Sequence, residues 1–265
     1  MVKTSGYVPS GDTTIYYDLS GNLDGEPLLM LHGGLGSGRD LAPLHEYVTR
    51  THCLISIDLR GHGKSPLLGA SPTYALYEKD IKEVLSQLGI KRYSIFGFSD
   101  GGIVGYRLAA NHPEAVVSLV TLGSQWRLEA DDPAIDILKS LTAEFWCDHF
   151  PSDVEAYIST NPSPDFKRLL NAVKEVWLDT TESGYPGCLV ERIKCPSLIM
   201  RGDDDFLFSL TEAAALKNNI PNASFANIPF AQHAAHREVP MLVGSILRQF
   251  LSYHTGLSDS DCCCA

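Results

Sequence analysis

The stretch Gly97-Phe98-Ser99-Asp100-Gly101 sets a serine between two glycines, each two residues away. Residues 93–98 lead into it with the β-prone Tyr93, Ile95 and Phe96. Ile103, Val104, Tyr106, Leu108 and Ala109 follow at helical spacing. A serine on so tight a strand-to-helix turn has its hydroxyl exposed at a helix N-terminus, and the turn admits only small residues two before and two after it. There the backbone N–H of Asp100 points at a developing oxyanion. The pattern is that of a nucleophile in acyl transfer.

A serine hydroxyl is inert without a base and an acid that orients the base. Both lie further along the chain, each after a strand-like run. The segment RGDDDFLF (201–208) offers three acids, Asp203, Asp204 and Asp205, and three adjacent aspartates cannot all turn toward one imidazole. The segment PFAQHAAHREVP (229–240) offers His233 and His236. His233 comes first after the strand and can lean toward Ser99. His236, near the start of the final helix, is expected in a surface or capping role. The pair in HAAH is not a zinc motif, since H-E-x-x-H is absent. No metal is expected.

Glycines are packed in HGGLGSG (32–38), where the loop after a strand supplies a second oxyanion donor. A phosphate loop is excluded, because the G-x-x-x-x-G-K-[ST] ending is missing there. GHGKS (61–65) has the ending, but Asp58 stands where the first glycine is required. No organic cofactor is expected either. The side chain of Asp100 is open to two readings: an acid favoured by the helix dipole, or a partner for a cationic group such as the α-amino group of an amino-acid ester.

These residues need a scaffold that brings distant loops to one edge. Residues 13–21, 27–34, 52–61, 93–98, 115–123, 195–203 and 223–229 read as strands. Residues 40–51, 74–88, 211–219 and 239–253 read as helices, as does a stretch from about 100. Strands alternating with helices predict an α/β architecture, a doubly wound and mostly parallel sheet. Residues 125–194 break the alternation with short helical runs rich in aromatics. Lying between two late strands, this segment is expected to be a lid over the carboxyl ends of the strands, where open α/β sheets place their sites. Trp126, Trp146 and Trp177 are its candidate substrate-binding residues. The expected organisation is a core of residues 1–124 and 195–255, a lid of 125–194 and a disordered tail of 256–265.

Composition bounds the partners. The chain has 265 residues and a formal net charge of −11, which argues against nucleic acid and anionic membrane as partners. No apolar run approaches a membrane span, and the N-terminus has no apolar core of a secretory signal. Seven cysteines, an odd number without a C-x-x-C pair, predict reduced thiols and a cytoplasmic setting. Cys262, Cys263 and Cys264 formally fit a prenylation signal, but cysteines replace its aliphatic residues and no polybasic stretch precedes them. The expected partner is a small-molecule substrate.

Taken in order, HGGLGSG, DLRGHGKS, GFSDGG, RGDDD and IPFAQHAAHREVP resemble the α/β-hydrolase superfamily over residues 6–253. The resemblance implies Ser99 as nucleophile, His233 as base and Asp205, third after Gly202, as acid. It implies the N–H groups of Gly34, second after His32, and Asp100 as the oxyanion donors, and a loop-shaping role for Arg60 and His62. Ser99 disfavours the members whose nucleophile is aspartate, the haloalkane dehalogenases and epoxide hydrolases. SDGG is similar to valacyclovir hydrolase-like enzymes, while DLRGHGKS is equally at home in enol-lactonases and cofactor-free haloperoxidases. The expected function is a serine hydrolase that cleaves an ester, thioester or lactone of a small molecule through an acyl-enzyme. The alternatives are a ligand receptor with slow turnover on the same fold, and carbon–carbon, nitrile or amide chemistry on the same triad.

Overall fold

The computed structural model describes residues 4–255, so the expected tail and its three cysteines lie outside the described residues. Eight strands form one sheet: β1 (Thr4–Ser10), β2 (Thr13–Gly21), β3 (Glu26–Leu31), β4 (His52–Ile57), β5 (Tyr93–Phe98), β6 (Val116–Leu122), β7 (Ser197–Gly202) and β8 (Ala223–Ile228). The helices are α1 (His45–Val48), α2 (Tyr74–Gln87), α3 (Asp100–Asn111), α4 (Ala134–Ser140), α5 (Ala143–His149), α6 (Pro151–Thr160), α7 (Phe166–Trp177), α8 (Leu210–Asn219), α9 (Ala235–Glu238) and α10 (Pro240–Thr255). Spatial order is β1-β2-β4-β3-β5-β6-β7-β8. β2 runs antiparallel to both β1 and β4, and every other neighbouring pair is parallel.

The central strands bury both faces, as parallel strands under two helical layers must. Alternate residues divide between two cores. Leu29, Leu31 and Ile95 face α2 and α3, whereas Leu28, Met30 and Phe96 face Leu44, Val243 and Leu247. The register puts the carboxyl ends of β3, β5, β6, β7 and β8 along one edge, and the loops that leave them carry Gly34, Ser99, Gly123, Asp205 and His233.

Two elements differ from the sequence expectation. Residues 40–51 do not form one helix: a 3-10 helix over Gly38–Leu44 precedes the single turn of α1. Pro43 lies inside it, and its missing N–H and fixed φ interrupt a regular α-helix. Strand β1 was not anticipated. Its Ser, Thr, Gly and Pro content hides the strand signal, but at a sheet edge Pro9 is tolerated because one side of the strand needs no partner.

Between β6 and β7 the chain forms α4 to α7, in the segment expected as a lid. The ends of α7 show why it forms where it does. Asp165 caps it by accepting from the N–H of Arg168 at 2.9 Å. Phe166, Leu169, Leu170, Val173, Val176 and Trp177 then bury one face at helical spacing. Asn161, just after α6, donates to the carbonyls of Gly63 (2.9 Å) and Ser65 (3.1 Å), tying this segment to the loop after β4. That loop is held by Arg60, 1% exposed, which pairs with Asp80 at 2.8 Å and Asp12 at 2.6 Å. Among the described residues no helix is long and apolar enough to cross a membrane.

Candidate active site

Ser99 joins β5 to α3 with φ 49° and ψ −118°, a conformation that costs a non-glycine residue on the order of 1–3 kcal/mol. The glycines around it make the turn possible. A β-carbon on Gly97 would stand 2.5 Å from the carbonyl oxygen of Gly101, and one on Gly101 would stand 2.3 Å from that of Leu31. The carbonyl of Ser99 accepts from Gly102 (2.9 Å) and Ile103 (3.0 Å), so α3 starts immediately after the serine. The N–H of Asp100, at its first position, has no partner within the helix.

His233 reaches Ser99 from the loop after β8. Its Nε2 is 3.1 Å from Ser99 Oγ, and its Nδ1 lies 3.0 and 3.1 Å from the two carboxylate oxygens of Asp205. A carboxylate only accepts, so Nδ1 carries the proton and Nε2 is free to accept from the hydroxyl. Burial pushes the Asp205 carboxyl up. The hydrogen bond and charge of His233, with the N–H groups of Phe208 and Leu207, outweigh it and hold the group below the usual carboxylate range. Asp205 therefore faces the imidazole as a carboxylate. Asp203 and Asp204 are exposed and point elsewhere; Asp203 accepts from the Asn227 side chain.

Two supports of this pair escape sequence reading. Arg201, 4% exposed, donates to the carbonyls of Phe208 (2.9 Å), Asp203 (3.0 Å) and Asp205 (3.3 Å) and so fixes the acid's loop. Gly123, at φ +60°, passes directly beside the imidazole. Arg201 opens the RGDDD run and Gly123 closes the run that became β6, but neither run shows what these two residues hold.

The glycine loop after β3 lies against the nucleophile. A β-carbon on Gly33 would stand 3.1 Å from Ser99 Cβ, and one on Gly34 would stand 2.6 Å from Asp100 Oδ2. His32 secures the loop: its Nε2 accepts from the N–H of Leu59 (3.0 Å), so its Nδ1–H donates to the carbonyl of Gly33 (2.7 Å). His62 packs 5.2 Å from His32 between ring centroids, and burial pushes its imidazole down to about 3.

Asp100 opens α3 and lies in the wall of the cavity beside Ser99, yet the residue is only 1% exposed. Oδ1 accepts from the hydroxyl of Tyr74 and the indole N–H of Trp177, each at 2.9 Å, and Oδ2 lies 3.0 Å from the same indole nitrogen. Burial raises its carboxyl above the ordinary range, and these two donors offset part of the rise. His236 differs from expectation. It is fully buried, with its ring 4.3 Å from Phe98, because the chain turns inward at α9 rather than along the surface.

Ser99 and His233 open into a cavity of about 380 Å³. Its walls come from Phe98 and Ile103 of the core, Leu138, Phe145, Trp146 and Trp177 of the segment between β6 and β7, and Phe206 of the acid loop. Trp146 and Trp177 thus line it. Trp126 does not; it packs under the guanidinium of Arg127, 4.5 Å from its ring centre. Arg237, also in the lining, bridges Asp40 (2.7 Å) and Asp153 of α6 (3.1 Å), one guanidinium between two carboxylates. Among the described residues no group of three or more His, Cys, Asp or Glu side chains could hold a metal ion.

Such an arrangement has a defined chemistry: a proton on Ser99 Oγ can pass to Nε2 while the hydroxyl oxygen attacks an electrophilic carbon held in the cavity. Comparison with known proteins places the scaffold. A family model described as alpha/beta hydrolase fold matches residues 26–145. A fluoroacetate dehalogenase from a Burkholderia species is 24% identical, the match covering 92% of each chain. A thermophilic esterase of Thermogutta terrifontis superposes with a TM-score of 0.75 at 20% identity, over 95% of this chain and 99% of that one. The enol-lactonase of Burkholderia xenovorans does so with a TM-score of 0.74 at 17% identity, over 93% and 100% of the two chains.

Proposed function

For this chain, a member of the α/β-hydrolase superfamily, we propose the activity of a serine hydrolase that cleaves an ester, thioester or lactone of a small, largely apolar molecule. The observation that carries the reading is the unbroken chain from Asp205 through His233 to Ser99, with links of 3.0 and 3.1 Å, ending at the floor of an apolar cavity. The esterase and enol-lactonase that share the fold are similar in architecture, and their substrates mark the class to test first.

Ser99 Oγ attacks the carbonyl carbon and His233 Nε2 takes its proton. The C=O electron pair moves onto oxygen, which the N–H groups of Gly34 and Asp100 receive. The tetrahedral intermediate collapses, His233 gives the proton to the leaving oxygen or, in a thioester, sulfur, and an acyl-serine remains. Water then gives a proton to Nε2 and attacks the acyl carbon; as the second intermediate collapses Nε2 returns that proton to Ser99 Oγ, releasing the acid and restoring Ser99. Asp205 holds the imidazole in the tautomer each step needs. The lid role of residues 125–194 belongs to the same proposal: Phe145, Trp146 and Trp177 shed water from the cavity and bind the apolar part of the substrate.

The test is turnover on a panel of aryl esters, thioesters and lactones. Many turnovers per active site, abolished in Ser99→Ala, support the reading. A stoichiometric burst with no further release would favour a ligand receptor on this fold.

A further inference from the structure

Trp177 and Asp100 come from parts of the chain 77 residues apart. Asp100 opens α3 directly after the proposed nucleophile. Trp177 closes α7, the last helix of the segment over the cavity. Tyr74, the first residue of α2, is the third member, and all three are more than nine-tenths buried. The proposed oxyanion loop rests on the same cluster, since a β-carbon on Gly34 would stand 2.6 Å from both Asp100 Oδ2 and Trp177 Cζ2. Beyond Trp177 the network continues: its carbonyl accepts from the Tyr185 hydroxyl at 2.9 Å, and the Tyr185 and Tyr74 rings meet edge-on at 5.2 Å.

A buried carboxylate is costly unless donors surround it. One beside a developing oxyanion opposes the charge it neighbours. Electrostatics therefore gives Asp100 no direct catalytic merit. What the carboxylate does supply is a rigid acceptor with two oxygens, here engaged by one indole and one phenol. Both donors come from elements that contribute no atom to the Ser99–His233–Asp205 chain. One of the two proposed oxyanion donors is the N–H of Asp100 itself, and the other is on the loop packed against its Oδ2.

We infer that Asp100 is a positioning residue: its carboxylate clasps Trp177 and Tyr74 so that the seating of α7 and the placement of both oxyanion donors form one unit. The inference rests on the hydrolase reading only for its catalytic consequence. It assigns the carboxylate a role that needs no substrate amine, since its two donors are the chain's own indole and phenol.

A double-mutant cycle tests it on the full chain. Trp177→Phe keeps a ring and removes the N–H. Asp100→Asn keeps the shape and turns one acceptor into an NH2 that must face a donor. Each single change is expected to lower kcat about tenfold on a neutral ester and on an amino-acid ester of equal size, with KM within about twofold. Each should also speed amide exchange both in residues 32–37 and in the first turn of α3. The double variant should lose no more than the worse single, since both remove one interaction. Multiplied losses, a loss confined to the amino-acid ester, or unchanged exchange in either segment would overturn the clasp. Should Asp100→Asn fail to fold, Tyr74→Phe and Trp177→Phe, which each remove one of the two donors, are read singly: each should lower kcat on both esters and speed exchange in both segments, and unchanged exchange in either segment would overturn the clasp. If the wild type turns over neither ester, the hydrolase reading fails while the exchange experiment still decides the clasp.

Discussion

Gly123 leaves room for His233: a β-carbon on Gly123 would stand 3.1 Å from both Nδ1 and Cε1 of the imidazole and 3.1 Å from Asp205 Oδ2. Its φ of +60° also strains any residue with a side chain. Gly123→Ala is expected to lower kcat by about tenfold or more, because a small displacement of a base costs more than its share of stability. The melting temperature should fall by only a few degrees, for a backbone penalty of about 1 kcal/mol. Unchanged kcat with a lowered melting temperature would show that the glycine serves the fold alone.

Among the three aspartates, the geometry selects one. Asp205→Asn is expected to reduce kcat by roughly 10⁴-fold, since an amide stabilises the wrong imidazole tautomer. Asp203→Asn and Asp204→Asn, on exposed side chains, should stay within a few-fold of wild type. Steady-state kinetics of the three variants checks this, and a wild-type-like Asp205→Asn would contradict it.

Two buried imidazoles set an acid limit on stability. Burial pushes His236 and His62 each down to about 3 in the folded protein, against about 6.5 in an unfolded chain. The unfolded state therefore binds protons first as pH drops. The stabilisation from keeping these rings neutral is full above about 6.5 and is lost progressively toward about 3. Urea midpoints measured from pH 7 to pH 4 should fall in the wild type and fall less steeply in His236→Gln. Parallel curves for the two proteins would show that this ring does not titrate on unfolding.

Residues acting through neighbours in the chain were legible, and those acting across it were not. Gly97, Ser99 and Gly101 announce their turn because their spacing is local, even though what forbids a side chain at Gly101 is the Leu31 carbonyl of β3. The order of the loops gave His233 as the expected base, and the family resemblance, not the residues themselves, implied Asp205 among three adjacent acids. The segment over the cavity showed as a loss of strand pattern. Gly123 and Tyr74 carry no local signature: their partners are brought to them by the sheet's register and by α7, whereas Arg201 braces the loop that follows it in RGDDDFLF without its residue type announcing that role. Trp126 and Trp146 look alike in sequence, yet only Trp146, on α5, lines the cavity, whereas Trp126 sits in the irregular stretch after β6 and packs into the core, a difference composition does not record. His236 misled for a related reason. Its place near a helix start fits a surface residue, and only the inward path of the chain at α9 buries it.

The central claim, that Ser99 is a nucleophile activated by His233, is tested most directly by labelling with a fluorophosphonate and locating the adduct by mass spectrometry. The account predicts one phosphonyl group on Ser99 of the wild type, labelling slowed by about 10³-fold or more in His233→Ala, and none in a folded Ser99→Ala. Labelling that persists in Ser99→Ala, or that is as fast without the imidazole of His233, would contradict it.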